Sequence, residues 1–353
     1  MKFIHAADVH LGAEPDVGKN QRKTRASEIW RTFENLITVC EEEKIDLLFI
    51  AGDLFHRQPL LRELKEVDHL FGTLSKTRVV LIAGNHDYIK SNSYYRTFEW
   101  SPNVTMLDSD SVEYVEFEHL DTAVYGLSYH ERENTEPVYE KIRIHDSCRH
   151  HILLAHGGDE KHFPFRKAVM QQMGFDYIAL GHIHKPGALI PDYMIYSGAL
   201  EPIDKNDIGK HGYVKGELTN EGCRTTFVPF AKREYIHLEL EIEEHMTGFE
   251  VRKKIQSEIE ANGTQNIYRV VLEGFKEPEI VFDFGGVDVY GNITEIEDNT
   301  KPAYDFYHLL QKNRGNLLGK YIESFGDASP DTIEYDALCE GVQALMETSG
   351  SRT

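Results

Sequence analysis

Histidine, aspartate and asparagine side chains recur in five short segments, each at the end of an apolar run. In chain order the segments read AADVHLG, IAGDLFHR, IAGNHDY, LLAHGG and LGHIHKPG. Imidazole, carboxylate and amide groups together form the ligand set that catalytic sites use for Mn²⁺, Fe²⁺ or Zn²⁺. One such segment alone is typical of an ordinary hydrogen-bonded loop, but five in order predict a metal site. The residues concerned are Asp8, His10, Asp53, His56, Asn85, His86, Asp87, His156, His182 and His184.

The number of candidate ligands indicates two metal ions rather than one. Three carboxylate or amide oxygens and four imidazoles give about eight metal bonds if one aspartate bridges, which exceeds the coordination of a single ion. Two cations about 3.5 to 4 Å apart can hold a hydroxide and neutralise the attacking and leaving oxygens of a phosphoester. The segments therefore predict hydrolysis of phosphodiesters or phosphomonoesters. Mn²⁺ is the first choice of ion, with Fe²⁺ and Zn²⁺ as alternatives.

The apolar runs before these segments must bring the ligands together. Runs such as LLFIAG and VVLIAG are apolar throughout, which is typical of strands covered on both faces. Helices are predicted at 23–43, 61–74 and 165–173 from their three-to-four residue apolar spacing. The pattern predicts a layered α/β fold in which the carboxyl ends of parallel strands share one rim. Glycines beside the ligands allow the backbone to approach other groups closely at this rim. They are Gly52, Gly84, Gly157 and Gly181.

Two changes of pattern predict further parts of the chain. Around residues 232–234 a βαββ-like unit begins, and after DNTKP the sequence is acidic and helical with glycine and proline breakers. We predict a catalytic domain at 1–232, a small α+β domain at 233–298 and a helical C-terminal tail at 299–353.

The charge of the protein limits how it can meet a polyanionic substrate. With 59 acidic against 38 basic residues, the formal net charge is −21. This balance excludes a protein that coats nucleic acid by electrostatic attraction alone. Contact with DNA must therefore come from local basic residues, and the candidates beside the motifs are Lys19, Arg22, Lys23, Arg25 and Arg57.

Other features of the composition predict a cytoplasmic protein. No apolar run approaches the roughly 18 residues that a bilayer span requires. The segment MKFIHAADVHLG turns polar too soon for a secretory signal. The four cysteines form no C-x-x-C pair, which suits a reducing compartment and argues against a zinc ribbon.

The ordered motifs D-x-H, G-D, G-N-H-D, H and G-H-x-H resemble those of the calcineurin-like metallophosphoesterase superfamily. Within it, the stretches IHAADVHLG, AGDLFHR and YSGALEP are similar to the SbcD-type DNA double-strand-break repair exonucleases. The resemblance implies a four-layer αββα sandwich with a small α+β capping domain and a helical C-terminal tail. It also implies a Mn²⁺-dependent DNA exonuclease and endonuclease.

The resemblance further implies a role for each residue of the site. One ion would take Asp8, His10, Asp53 and His184, and the other would take Asp53, Asn85, His156 and His182, so that Asp53 bridges. His86 would protonate the leaving oxygen, Asp87 would orient His86, and His56 would lie near the scissile phosphate. Implied partners are a second copy of the chain, through the helix after the G-D motif, and an SbcC-like coiled-coil ATPase, through Ala303–Thr348.

Two other functions share the same sequence features. A phosphodiesterase or phosphatase for small nucleotides would use the same metal site without an extended basic groove. A subunit whose main task is assembly with an ATPase would depend on its C-terminal segment, with hydrolysis secondary.

Overall fold

The computed structural model describes residues 1–15, 22–145, 148–330 and 332–350, apart from the side chains of residues 22, 23, 349 and 350. The chain forms two compact units, Met1–Tyr235 and Ile236–Thr353. The predicted division into 1–232, 233–298 and 299–353 stays a prediction. Within the described residues, no helix has both the length and the apolarity to cross a bilayer.

In the first unit, short strands alternate with helices and loops along the chain. The helices are α1 (Arg22–Glu42), α2 (Leu61–Gly72) and α3 (Lys167–Met170). The strands are β1 (Lys2–Ala6), β2 (Leu47–Ala51), β3 (Arg78–Ile82), β4 (Val104–Met106), β5 (Glu113–Phe117), β6 (Thr122–Gly126), β7 (His150–His156), β8 (Tyr177–Gly181), β9 (Gly187–Ile190), β10 (Met194–Tyr196), β11 (Gly212–Thr219) and β12 (Gly222–Pro229).

The strands of the first unit form two sheets. The first sheet has the order β12-β11-β1-β2-β3-β4, with β1 to β4 parallel to one another and β11 antiparallel to β1. The second sheet has the order β5-β6-β7-β8-β10-β9, with β6, β7, β8 and β10 parallel. The parallel strands of each sheet therefore end on a common rim, as the sequence predicts.

Alternate side chains of the central strands face different layers. Phe49 of β2 packs with Leu154 of β7 in the core between the sheets. Its neighbours Leu48 and Ile50 face the other way, onto the buried faces of α1 and α2. On the outer side of the second sheet, Leu153 packs with residues that include Met170 of α3. The layers run helix, sheet, sheet, helix, so the predicted α/β sandwich is confirmed.

The helices predicted at 61–74 and 165–173 are longer than those observed, since α2 ends at Gly72 and α3 at Met170. The helix predicted at 165–173 is limited to α3, because the chain turns at Gln171 and enters the left-handed region at Gly174. The apolar stripe of α2 lies in the core, where Leu64, Val67 and Phe71 are buried.

Within its described residues, the second unit contains a small sheet, one helix inserted between its strands and three C-terminal helices. Its strands are β13 (Tyr235–Ile242), β14 (Ile267–Lys276), β15 (Ile293–Asp298) and β16 (Lys301–Pro302), of which the first three pair in that order and β16 pairs with β14. The helices are α4 (Gly248–Asn262), α5 (Phe306–Asn313), α6 (Leu317–Phe325) and α7 (Ile333–Gly350). Helix α4 begins with a capping box between Thr247 and Glu250, and buries Val251 and Ile255 against the sheet.

Candidate metal centre

The seven predicted ligands lie together at the carboxyl ends of five strands. Asp8 and His10 follow β1, Asp53 follows β2 and Asn85 follows β3 in the first sheet. His156 ends β7, and His182 and His184 follow β8 in the second sheet. The side-chain donor atoms of Asp8, His10 and His184 lie within 4.8 Å of one another, as do those of Asp8, Asp53 and His156. Asn85 Oδ1 completes the group, 2.9 Å from His156 Nε2 and 3.1 Å from His182 Nδ1.

Asp53 lies between the two sets of imidazoles. Its Oδ2 is 3.3 Å from His156 Nε2 and 3.8 Å from His10 Nε2. Its Oδ1 accepts a hydrogen bond of 2.8 Å from the backbone N–H of His86, which fixes the plane of the carboxylate. The position of Asp53 is therefore suited to a ligand shared by two cations.

The backbone of this rim adopts an uncommon conformation at several ligands. Asp8, His10 and Asp53 have φ values of 49°, 51° and 50°, and His182 has a φ of 96°. A residue with a side chain in the left-handed region costs of order 1 to 3 kcal/mol, and such residues cluster at functional sites. Interactions of the surrounding loops hold the strained turns in place, among them the hydrogen bond from His10 N to the carbonyl of Asp53 at 3.0 Å.

Two glycines permit the close packing of the ligands. A Cβ atom on Gly52, which has a φ of 90°, would lie 2.3 Å from Nδ1 of His156. A Cβ atom on Gly84 would lie 2.2 Å from Oδ1 of Asp53. Both distances are far below van der Waals contact, so a side chain at either position would displace a predicted ligand.

The orientation of the imidazoles fits bound cations. His184 Nδ1 lies 3.1 Å from both oxygens of Asp207, which accept hydrogen bonds when the carboxyl is ionised. The Nε2 atom of neutral His184 therefore carries a lone pair, and it faces Nε2 of His10 at 3.0 Å. Ligand atoms that share an ion at about 2.1 Å lie about 3 Å apart, so this spacing suits coordination of one cation.

The electrostatics of the group favour protons on some of the candidate ligands in the absence of a cation. Burial raises the pKa of Asp8 to about 6, and the neighbouring carboxylate of Asp53 adds to the shift. Burial opposes ionisation of Asp53 and protonation of His156, but their mutual attraction outweighs it. The pKa of Asp53 is held well below its usual range, and that of His156 is raised to about 9. Because metal ligands bind without these protons, a divalent cation would displace them.

His56 and His86 lie beside the ligands at less buried positions. His56 Nδ1 is 3.3 Å from His10 Nδ1, and the rings of His86 and His10 are 4.8 Å apart between centroids. Nδ1 of His86 lies 3.1 Å from the carbonyl oxygen of His56, to which it donates when it carries the proton. This arrangement leaves Nε2 of His86 available to exchange a proton. The ring nitrogens of these three histidines also lie within 4.8 Å of one another, although the set includes no carboxylate.

The structure does not bring the side chain of Asp87 into a hydrogen bond with His86, which it was predicted to orient. Its Oδ1 accepts from the backbone N–H of Gly84 at 2.8 Å, and its Oδ2 accepts from Phe55 N at 3.2 Å and from the hydroxyl of Tyr95 at 2.9 Å. The carboxylate is thus used to tie the loop after β2 to the loop after β3. His86 is oriented by a main-chain carbonyl instead.

The structure does not place Arg25 at the surface, where it was predicted to contact DNA. Its side chain is fully buried and donates to Glu28 at 2.8 Å, to Glu201 at 3.2 Å and to the carbonyl of Pro202 at 3.0 Å. The buried carboxylate of Glu201 requires a cationic partner, which explains why this arginine is not at the surface.

Of the other four predicted basic residues, Arg57 is the one whose side chain is described. Lys19 and the side chains of Arg22 and Lys23 lie outside the described residues. Arg57 is about half exposed, but both of its terminal nitrogens bind Glu63, at 3.1 and 2.7 Å.

Several residues that hold the ligands were not predicted. The hydroxyl of Tyr139 accepts from His156 N at 2.8 Å and donates to His156 O at 3.0 Å, and Tyr129 donates to the same carbonyl at 3.0 Å. Asp159 and Asp207 contact His182 and His184. Asp159 follows the HGG segment directly, which is a usable signal, whereas nothing in the local sequence distinguishes Tyr139 or Asp207.

Comparisons with known proteins agree with this geometry. A family model described as calcineurin-like phosphoesterase matches residues 1–186. A Bacillus subtilis protein named uncharacterized metallophosphoesterase YhaO is 28% identical over 302 residues, which are 78% of this chain and 72% of that protein. The DNA double-strand break repair protein Mre11 of Methanocaldococcus jannaschii is 29% identical over 59% of this chain and 58% of its own. That of Halobacterium salinarum is 29% identical over 60% and 55%. The chain spans less than two thirds of either Mre11 protein.

Proposed function

This chain belongs to the calcineurin-like phosphoesterase family and is a metal-dependent phosphoesterase, and we propose that it is a nuclease that hydrolyses phosphodiester bonds of DNA. The family predicted from the five motifs is confirmed. The observation that carries the proposal is the convergence of the seven predicted ligands, with the carboxylate of Asp53 between two sets of imidazoles. Relatives named as DNA double-strand break repair proteins support DNA as the substrate.

We propose that two cations share Asp53. Asp8, His10 and His184 would complete one site, because their donor atoms form one close group. Asn85, His156 and His182 would complete the other, because Asn85 Oδ1 lies beside both imidazoles.

Manganese is the proposed ion. The mixed set of hard oxygen ligands and imidazoles without thiolates suits Mn²⁺, with Fe²⁺ and Zn²⁺ as alternatives. Bound there, the cations would neutralise the phosphate oxygens and activate the attacking water.

His86 is proposed as the general acid. Its Nδ1 is engaged with the carbonyl of His56, so Nε2 can hold the proton that the leaving oxygen takes as the phosphodiester bond breaks. His56 is proposed to orient the scissile phosphate, since its ring lies 5.1 Å from that of His86 and is partly exposed. On the less buried side of the ligand group, His86 would give the leaving oxygen a proton and His56 would give the phosphate a hydrogen bond.

The substrate is tested with metal-loaded protein and three substrates: end-labelled duplex DNA, hairpin DNA and a small chromogenic phosphodiester. The proposal predicts cleavage of the DNA and of the ester, and loss of both reactions after chelation. Cleavage of the chromogenic ester with both DNA substrates intact would refute a nuclease.

A small nucleotide substrate is the second candidate, and the charges beside the site favour it. Arg25 is buried with two glutamates, and Arg57 is paired with Glu63. DNA bound beside the site would therefore contact few basic side chains among the described residues. If the rate on duplex DNA falls steeply with salt and Arg57→Gln reduces that dependence, phosphate contacts are used and DNA is favoured. A rate on DNA that salt leaves unchanged would favour the small nucleotide.

We propose an SbcC-like ATPase as partner of the C-terminal helices. Tyr307, Leu317 and Ile333 are 75%, 67% and 84% exposed on α5, α6 and α7, which is unusual for large apolar side chains. Replacing all three with serine should abolish co-purification with such an ATPase while hydrolysis of a small ester continues. Retained co-purification would show that the ATPase binds another surface of the chain.

A homodimer and a cytoplasmic location are further proposals. The apolar stripe of α2 is buried, so a dimer contact on this helix would use Leu60 and Leu61, each 40% exposed. A reducing compartment suits the buried thiols of Cys40 and Cys339. Light scattering of wild type and of a Leu60→Ser, Leu61→Ser variant tests the dimer.

A further inference from the structure

Each histidine of the GHIH segment contacts a carboxylate that lies outside the five motifs. Asp159 Oδ2 is 2.7 Å from Nε2 of His182. Both oxygens of Asp207 are 3.1 Å from Nδ1 of His184. The two carboxylates come from different loops, one after β7 and the other before β11, so the two contacts are independent of each other.

The two imidazoles face the ligand group through opposite ring nitrogens. His182 directs Nδ1 toward Asn85 Oδ1 at 3.1 Å. His184 directs Nε2 toward Nε2 of His10 at 3.0 Å. A neutral imidazole carries its proton on one nitrogen and its lone pair on the other, so the two rings need opposite tautomers to bind cations.

An ionised carboxylate selects the tautomer because it only accepts hydrogen bonds. Opposite Asp159, the proton of His182 stays on Nε2 and the lone pair on Nδ1. Opposite Asp207, the proton of His184 stays on Nδ1 and the lone pair on Nε2. In both rings the lone pair then points at the ligand group.

Main-chain donors hold both carboxylates in place. Asp207 Oδ2 accepts from the backbone N–H of Ile203 at 3.0 Å and of Asp204 at 3.1 Å. Asp159 Oδ1 accepts from Lys161 N at 2.8 Å and His162 N at 3.0 Å. The side chain of His162 also binds Asp159, with Nδ1 at 2.8 Å from Oδ1. These contacts orient each carboxylate toward its imidazole.

We propose that Asp159 and Asp207 are positioning residues that fix the tautomers of His182 and His184 so that Nδ1 of the first and Nε2 of the second face the cations. The inference rests on the proposed two-cation site. Each cation then has one supporting carboxylate outside the ligand group, since His182 and His184 are the proposed ligands of different cations.

Asparagine substitutions test the inference because they preserve shape and reverse the hydrogen bond. In Asp207→Asn the amide oxygen stays with the donors Ile203 N and Asp204 N, and the NH₂ group turns toward Nδ1 of His184. The NH₂ group opposes the proton on Nδ1 and so favours the tautomer with the proton on Nε2, which lacks the ligand lone pair; the amide oxygen, also 3.1 Å from Nδ1, makes this shift partial. Asp159→Asn acts in the same way on His182.

Matched controls come from neighbouring acidic residues. Asp204→Asn changes the same loop as Asp207, but the Asp204 carboxylate accepts from the backbone N–H of Asn206 at 2.8 Å rather than from an imidazole. Glu160→Gln changes an exposed residue next to Asp159.

The experiment titrates metal-free full-length proteins with Mn²⁺ in a calorimeter and with Co²⁺ by visible absorption, and records thermal melting of each metal-free protein. Each asparagine variant should bind one of two cations about 10 to 100 times more weakly, with an altered Co²⁺ spectrum, wild-type binding of the other cation and wild-type melting. Both controls should bind like wild type.

Wild-type affinities in the asparagine variants would overturn the inference while leaving the two-cation site intact. A weaker affinity accompanied by a lower melting temperature of the metal-free variant would show a structural role and would also overturn the inference. Wild-type protein that binds no cation would instead overturn the proposed function.

Discussion

The rims of the two sheets contribute different kinds of ligand to the same centre. The first sheet supplies one imidazole, His10, one amide, Asn85, and both carboxylates, Asp8 and Asp53. These carboxylates are at most 1% exposed and bind backbone N–H groups directly. The second sheet supplies imidazoles, and other side chains hold them: Tyr139 holds the backbone of His156, and carboxylates hold His182 and His184. The first rim therefore sets the charge that attracts cations, and the second sets the geometry that binds them.

This difference predicts a graded response to substitution. In the proposed two-cation site, a change of Asp53 on the first rim alters the carboxylate that both cations share. A change on the second rim alters one imidazole or its support. The largest effects should come from the first rim and the smallest from the residues that support the second.

Asp53→Asn should have the largest effect. It removes the shared negative charge, so both cations should be lost and turnover of a small phosphodiester should fall by at least about 10³-fold. Elemental analysis and steady-state kinetics measure the two effects. Asp192→Asn is the control, since Asp192 binds only the N–H and hydroxyl of Thr225 among the hydrogen bonds described. Retention of two cations by Asp53→Asn would contradict the bridging role.

His86→Gln should affect chemistry without affecting metal binding. The loss of a general acid lowers turnover by about 10² to 10⁴-fold, and the loss should be smallest for an ester with an acidic leaving group. Elemental analysis should still find two cations in each chain. A variant that loses a cation would place His86 among the ligands, as its proximity to His10 and His56 allows.

Metal affinity should rise with pH and then level off near pH 9. Burial opposes protonation of His156 and His184, yet Asp53 beside the first and Asp207 beside the second raise the pKa of each to about 9. Below that pH each imidazole must lose a proton to bind a cation, so binding releases protons and weakens as pH falls. Calorimetry in buffers of different ionisation enthalpy measures the release. An affinity for Mn²⁺ that is constant from pH 6 to pH 9 would contradict this account.

Tyr139→Phe should have the smallest of these effects. It leaves the buried N–H of His156 without its hydroxyl partner, which should lower the free energy of unfolding by about 1 to 3 kcal/mol. Urea unfolding of the metal-free protein measures it. Tyr193→Phe removes a bond of 3.1 Å to the carbonyl of Met170, away from the ligands, and is the matched control. Equal losses of unfolding free energy in the two variants would show that the Tyr139 hydroxyl stabilises the protein no more than a hydroxyl away from the site.

The convergence of the candidate ligands could be predicted because their positions depend on local sequence. Each follows an apolar strand, and parallel strands of one sheet end at one rim, so Asp53 and Asn85 must be neighbours whatever the rest of the chain does. The glycines beside them indicate that these side chains pack closely. The layered fold follows from the same runs, since a strand that is apolar on both faces must be covered on both.

The supporting residues could not be predicted because their partners are distant in sequence. Arg25 looks like a surface charge until Glu201 is placed beside it, 176 residues along the chain. Asp87 follows His86 directly, which suggests that the two interact, but the Asp87 carboxylate binds Phe55 N and Gly84 N, and the His86 ring binds the carbonyl of His56. Asp207 resembles any surface aspartate, and only its contact with His184 reveals its position.

The most direct test of the two-cation centre is anomalous X-ray scattering from crystals of the full chain grown with Mn²⁺. The account predicts two manganese peaks about 3.5 to 4 Å apart, with the carboxylate of Asp53 between them. No peak, or a single peak away from Asp53, would contradict it.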